Sequence, residues 1–168
     1  EEVAEFGLKH NKDFRVMWQA GWMVHDGLKI NKNGPDRDAV KIADLRAALD
    51  KARKPVEEKI EAINKKLGKR VVTIVPVGDA FGKMRAMVVD GKFPGVTKQS
   101  ELFNDDMPHQ GRLGSLLQDY CIFAALYQKS TVGLEIKLDK EITREQNAIL
   151  QKIAWETVSK YPHAGIAK

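Results

Sequence analysis

Val-Val-Thr-Ile-Val-Pro-Val-Gly-Asp-Ala, residues 71–80, is the stretch of sequence that decides the fold. Its first five residues are β-branched and do not alternate with strongly polar residues, which is typical of a parallel strand covered on both faces. Pro76 ends the strand because proline has no N–H to give to a sheet ladder. The residues that follow have the apolar spacing of a helix, which Gly91 ends. We therefore predict a buried strand that leads directly into a helix.

Four further helices are predicted from apolar residues at helical spacing. Two precede the buried strand, at residues 38–54 and 55–67. Pro55 fits the first turn of the second helix, because its missing N–H would be unpaired there anyway. The other two cover residues 111–128 and 143–161, and the later one begins with the spacing of a capping box.

A second strand is predicted at residues 14–20, a short apolar run. Strands that alternate with helices predict an α/β fold with parallel pairing. In such sheets ligands bind beyond the carboxyl ends of the strands. The candidate functional edge therefore contains residues 19–26, residues 76–79 and the long segment 92–110, which has no clear periodicity.

The composition is that of a folded domain. The chain has 168 residues, of which 43% are apolar and 30% charged, with a net charge of +5. The basic residues are interleaved with acids on helices, which indicates a solvated surface and not a nucleic-acid interface. No apolar run approaches the ~18 residues of a membrane span. A single cysteine, Cys121, excludes an internal disulfide, and its apolar neighbours predict a buried, inert thiol.

Asp105, Asp106 and His109 lie together just before the helix at residues 111–128. Their types would suit a metal, but no second histidine lies at helical spacing, so no metal or cofactor is expected. Two interpretations remain. The group either caps a turn at the surface, or it performs general acid–base chemistry. In the second case the Asp106 carboxylate fixes the tautomer of His109, whose other ring nitrogen accepts a proton from a hydroxyl nucleophile.

Candidates for substrate binding lie near the predicted strand ends. Trp18 and Trp22 flank one strand end beside Gln19, where they form either an aromatic rim for a carbohydrate or part of the core. Asp79 follows Gly78 at the other strand end, where it either touches a ligand or caps the next helix.

Residues 102–111, which read Leu-Phe-Asn-Asp-Asp-Met-Pro-His-Gln-Gly, resemble the C-terminal block of SGNH (GDSL-type) hydrolases, and the likeness is closest to a bacterial branch. The resemblance continues through the aromatic and alanine-rich helix that follows and through the Ser-x-Val-Gly segment at residues 130–133. Residues 75–80 are similar to the strand end that precedes this block in the same proteins. The resemblance covers residues 10–134.

This resemblance implies a flavodoxin-like three-layer α/β/α domain that hydrolyses esters or removes acyl groups with a Ser-His-Asp triad. His109 would be the general base and Asp106 its orienting partner. The family's serine nucleophile and oxyanion-hole segments are not recognisable in this sequence. The tryptophans and the absence of an apolar lid sequence favour an O-acyl group on a carbohydrate over a long-chain lipid as substrate.

Two interpretations of the whole chain remain open. Residues 1–168 form a single SGNH-like domain or its C-terminal half, with residues 135–168 as a C-terminal helical extension. A half domain would need its N-terminal half or would self-associate. The alternative is a diverged, non-catalytic relative with a binding or structural role. The compartment is left open, and a location outside the cytoplasm is one expectation.

Overall fold

The structure is a computed structural model that describes residues 1–22, 36–105 and 109–166. These residues form a mixed α/β fold that is mostly helical and contains a two-stranded parallel sheet. The elements, in chain order, are α1 (Glu2–His10), β1 (Val16–Gln19), α2 (Ile42–Lys66), β2 (Val72–Val75), α3 (Val77–Val89), α4 (Arg112–Tyr127) and α5 (Arg144–Val158), with 3₁₀ turns at Arg37–Ala39, Gln99–Leu102 and Pro162–Ala164.

The two predicted strands are present and pair in parallel. Val16 lies opposite Val72, and the register continues to Gln19 opposite Val75. Every residue of β2 is buried, as its unbroken apolar sequence predicts. The first strand is shorter than predicted, because pairing begins only at Val16.

Helices pack against both faces of this sheet. On one face Ile74 packs with Ala4 of α1 and Ile60 of α2. On the opposite face Val75 belongs to the largest core, to which α3, α4 and α5 all contribute. Leu150 of α5 is completely buried there, so the segment predicted as a C-terminal extension supplies part of the main core.

Helix α2 departs from the prediction of two helices. It runs without a break from Ile42 to Lys66 and contains Pro55 in its interior. The assignment of Pro55 to the first turn of a second helix was therefore wrong. A proline inside a helix removes one backbone hydrogen bond. The buried residues Leu45 and Ile60, on either side of Pro55, hold both halves of α2 against the protein, and this packing offsets the loss.

The ends of the other helices follow the local sequence signals. Gly91 has a φ of +65° at the end of α3, where its left-handed conformation stops the helix. At the start of α5 the Gln146 N–H donates to the Thr143 hydroxyl (3.1 Å), and the Thr143 N–H donates to the Gln146 side chain (2.9 Å). The predicted capping box is confirmed. Helix α1 was not predicted; it is a nine-residue segment that buries only Ala4 and Gly7.

The two outer edges of the sheet differ. At β2 the side chain of Asn64 substitutes for a neighbouring strand, because it accepts from the N–H of Val72 (2.8 Å) and donates to the carbonyl of the same residue (2.8 Å). At β1 the backbone groups of Met17 and Gln19 point away from β2, and in the described part of the chain they have no hydrogen-bond partner. The β1 edge is therefore open to another strand.

Candidate functional site

A cavity of about 310 Å³ lies at the carboxyl edge of the sheet. Four of the five predicted substrate-binding residues line it, namely Trp18, Gln19, Gly78 and Asp79. Ala20 and Gly21 continue this wall, and α2 supplies the opposite one through Leu49, Ala52, Arg53 and Val56. The expectation that the two strand ends share one edge is confirmed, while the contribution of α2 was not predicted.

Gly78 joins the end of β1 to the first turn of α3. Its N–H donates to the carbonyl of Ala20 (2.7 Å). A Cβ atom at this position would lie 2.4 Å from the carbonyl oxygen of Gly21, which is backbone and cannot move aside cheaply. Only glycine allows the chain after β1 to approach α3 this closely. This contact forms one side of the cavity.

Substitution of Gly78 by alanine is expected to lower the free energy of unfolding by about 1–3 kcal/mol, because the new methyl group overpacks against backbone. Gly82→Ala, one turn later in α3, is the matched control. A Cβ at Gly82 meets its nearest atom at 3.9 Å, so this variant should gain about 0.5–1 kcal/mol from helix propensity. Urea unfolding of both variants measures the difference. Equal stabilities would contradict the close approach at Gly78.

Asp79 does not cap α3 with its side chain, and instead forms an ion pair with Arg53 of α2. The Arg53 side chain is only 14% exposed, and it also pairs with Asp50 and with Glu57, whose Oε1 lies 2.9 Å from its Nε. Burial opposes the charge of Arg53, but its hydrogen bond to Asp79 and the neighbouring carboxylates raise its pKa above the ordinary value. This corner of the cavity is thus a fixed ionic network.

Trp22, the fifth predicted substrate-binding residue, lies in the core and not at the cavity. It is 5% exposed, and its ring stacks on Phe81 with centroids 4.9 Å apart. Burial of a large apolar ring accounts for this position, so the core-packing interpretation of Trp22 is the one that the structure supports. Trp18 differs, because it is 39% exposed and borders the cavity.

His109 forms a carboxylate–imidazole pair with Asp105, whereas the sequence analysis predicted Asp106 as its partner. Its Nδ1 lies 2.8 Å from Asp105 Oδ2. The His109 side chain is 65% exposed, and Nε2 has no hydrogen-bond partner among the described residues. Asp106, the predicted orienting residue, lies outside the described residues, and its role stays a prediction.

Arg37 holds this loop in place. The loop closes on itself through a bridge between Phe103 and Gln110. Arg37 Nη1 donates to the carbonyl of Asp105 (2.8 Å), and its guanidinium lies 3.7 Å from the centre of the Phe103 ring. The backbone of the residue that bonds His109 is therefore fixed by a cation that is only 8% exposed.

A buried polar network anchors the beginning of the same loop. Arg85 is completely buried and donates to the Gln99 side chain (2.7 Å), which in turn donates to the carbonyl of Val40 (3.0 Å). Asp38 accepts from both the N–H and the hydroxyl of Ser100. The sequence analysis missed these residues. These contacts join residues that lie far apart in the chain. The local sequence signal was limited to the alternation of charged and apolar residues in α3.

The described serines do not complete a catalytic dyad with His109. Ser100 bonds to Asp38, and Ser159 donates to the carbonyl of Trp155. No described serine hydroxyl is hydrogen-bonded to His109, and His109 does not line the cavity between β1 and α2. The base candidate and the cavity are therefore separate features of this chain.

The other features weighed in the sequence analysis are the single cysteine, a metal site and a membrane span. Cys121 is completely buried, as predicted, and burial raises the pKa of its thiol to about 12. Among the described residues no group of three or more histidine, cysteine or acidic side chains could hold a metal ion. In that same part of the chain no helix is long and apolar enough to cross a membrane.

Comparison of the chain with known protein families, with curated proteins and with solved structures finds no match. The fold and the two sites described above are therefore the basis for a functional conclusion.

Proposed function

We propose that this chain is the C-terminal half of an SGNH-type hydrolase domain with a flavodoxin-like three-layer fold, and that it supplies the general base for hydrolysis of acyl esters. The observation that carries the proposal is the 2.8 Å pair between His109 Nδ1 and Asp105. A carboxylate on Nδ1–H fixes the tautomer and stabilises the imidazolium that forms. The exposed Nε2 can then accept the proton of a hydroxyl nucleophile.

Asp105 takes the orienting role in this proposal. The geometry favours Asp105 because its carboxylate is bonded to His109 and its backbone carbonyl is held by Arg37. The family resemblance favours the adjacent Asp106 instead. The two residues are neighbours, so substitution of each by asparagine forms a matched pair that distinguishes them.

The arrangement of the helices supports the idea that the sheet continues beyond β1. Helices α1 and α2 pack on the same face of the sheet. The connection from β1 through α2 places β2 on one side of β1, and such crossovers are right-handed in nearly all proteins. A strand that leads through α1 into β1 on this same face must then lie on the other side of β1. That side is the open edge.

Exposed apolar side chains on α1, β1 and α4 support the same proposal. The large apolar residues with high exposure include Val3 and Phe6 on α1, Trp18 on β1, and Leu126 and Tyr127 on α4. Phe6 is 66% exposed and Tyr127 58%. Additional strands and their helices would cover such a surface. Without them, the open edge would favour self-association.

The substrate in this proposal is an ester with a short acyl group, carried by a carbohydrate. The exposed ring of Trp18 offers an apolar surface to a sugar, and the sequence contains no apolar lid for a long chain. A panel of acetylated sugars and long-chain esters tests this expectation on the complete protein. Acetylated sugars should be turned over with the higher kcat/KM. A preference for the long chains would overturn the assignment.

One observation favours a second candidate, a non-catalytic domain that binds a ligand. The cavity is built from residues of β1, α2 and α3, and His109 is not among them. In this case the complete protein would bind a ligand without hydrolysing any ester. The absence of turnover across the whole ester panel, together with ligand binding, would favour this candidate over hydrolysis.

A further inference from the structure

The cavity between β1, α2 and α3 has apolar walls and one polar corner. Trp18, Leu49 and Val56 supply apolar surface, while Asp79 and Arg53 form the polar corner. A cavity of about 150 Å³ is enough to bind benzene, so about 310 Å³ accommodates a single ring or a short chain with a polar substituent. The site therefore suits a small molecule or one substituent of a larger one.

The cation at the polar corner is not available to a ligand. Each nitrogen of the Arg53 guanidinium faces a carboxylate, since Nη1 pairs with Asp79, Nη2 with Asp50 and Nε with Glu57. The ring of Tyr161 covers the guanidinium at 5.1 Å, and its hydroxyl donates to Glu57. Nε is buried and forms no hydrogen bond, so a carboxylate or phosphate of a ligand that approached Arg53 would meet the carboxylates already paired with it.

The fixed charges at this corner repel anions. The network of one guanidinium and three carboxylates carries a net charge of −2. Lys83, one turn after Asp79 on α3, is a nearby cation, but its ammonium donates to the Thr157 hydroxyl (2.9 Å) and it does not line the cavity. Asp79 uses Oδ2 for Arg53, and Oδ1 has no hydrogen-bond partner in the described part of the chain. This oxygen can accept a hydrogen bond from a ligand.

We infer that this cavity binds an uncharged, mostly apolar group that carries a hydroxyl or amide N–H, and that it rejects the corresponding anion. The apolar part lies against Trp18 and α2, and the donor bonds to Asp79. This inference concerns binding alone, so it stands or falls independently of hydrolysis by His109. A failure of the binding test would leave the catalytic test unchanged, and the reverse also holds.

Benzamide and benzoate are suitable probes because they have nearly the same shape and differ in charge. Both are titrated against the 168-residue chain at low salt, and the indole N–H signal of Trp18 is followed by NMR. Benzamide should shift this signal with saturation, and benzoate should bind at least about tenfold more weakly, because like charges repel at this range. Trp22 and Trp155 provide internal reference signals, and that of Trp22 should not move, because the ring lies in the core. Equal affinities, or no saturable shift with benzamide, would overturn the inference.

Two variants sharpen the test. Asp79→Asn changes the net charge of the corner from −2 to −1 and should reduce the preference for benzamide over benzoate. Asp90→Asn, at the other end of α3, is the matched control and should preserve the discrimination. Discrimination that is unchanged in Asp79→Asn would contradict the role of Asp79. The comparison of the two probes on the unmodified chain remains decisive if Asp79→Asn does not fold.

Discussion

Replacement of His109 by alanine is expected to lower kcat for acyl-ester hydrolysis by the complete protein by several orders of magnitude. The base, its carboxylate and the nucleophile act as a unit, so loss of the base removes most of their joint effect. Single-turnover hydrolysis of an acetyl ester measures the loss. His10→Ala, at an exposed histidine of α1, is the control and should keep the turnover of the unmodified protein. Unchanged turnover in His109→Ala would exclude His109 as the base.

Imidazole added from solution distinguishes a chemical role of His109 from a structural one. The His109 side chain is 65% exposed, so a small base can reach the space that alanine leaves. We expect partial recovery of turnover in His109→Ala. Asp105→Asn should lower kcat less than His109→Ala does. The imidazole stays in place in this variant, although its tautomer is no longer fixed by a carboxylate. The loss of kcat in Asp105→Asn should be larger than the loss in Asp106→Asn. The reverse order of the two asparagine variants would assign the orienting role to Asp106.

Replacement of Phe81 by alanine is expected to lower the free energy of unfolding by about 3–5 kcal/mol, the range for large aromatic residues in a core. Phe81 is completely buried, stacks on Trp22 at 4.9 Å and meets the edge of Phe103 at 5.3 Å. It therefore joins the chain after β1 to the loop that carries His109. Loss of the ring should also loosen that loop, because Arg37 rests on Phe103.

Phe6→Ala is the control for this prediction. Phe6 is 66% exposed on α1, so its removal should change the stability by no more than about 0.5 kcal/mol, as for most surface positions. Urea unfolding of both variants gives the comparison. A loss for Phe81→Ala no larger than that for Phe6→Ala would contradict the central position of Phe81 in the core.

The elements that were predicted correctly are those with strong local signals. The unbroken apolar run of β2 and the capping box of α5 each depend on neighbouring residues. Pro55 shows the limit of such reasoning. Its local preference for a first turn is weaker than the packing of the continuous helix α2 on both sides of it. Helix α1 was missed because its apolar spacing extends over only nine residues.

In the candidate sites, too, the features that follow from local sequence signals were predicted, and those that depend on long-range contacts were not. Parallel pairing brings the carboxyl ends of β1 and β2 together, so Gln19 and Asp79 could be placed at one edge from the order of the strands. The ion pair of Asp79 with Arg53 joins residues that are 26 positions apart in the chain. The hydrogen bond from Arg37 to the Asp105 carbonyl joins residues that are 68 positions apart. Residue spacing carries no information on contacts of that length.

Ester turnover by the 168-residue chain, alone and joined to the N-terminal half of its domain, tests the central claim most directly. An imidazole without a positioned hydroxyl and without oxyanion donors cannot stabilise the tetrahedral intermediate. The account therefore predicts no turnover by the chain alone, and turnover that depends on His109 once the N-terminal half is present. Turnover by the chain alone that is abolished by substitution of Ser100, Ser115, Ser130 or Ser159 would contradict it.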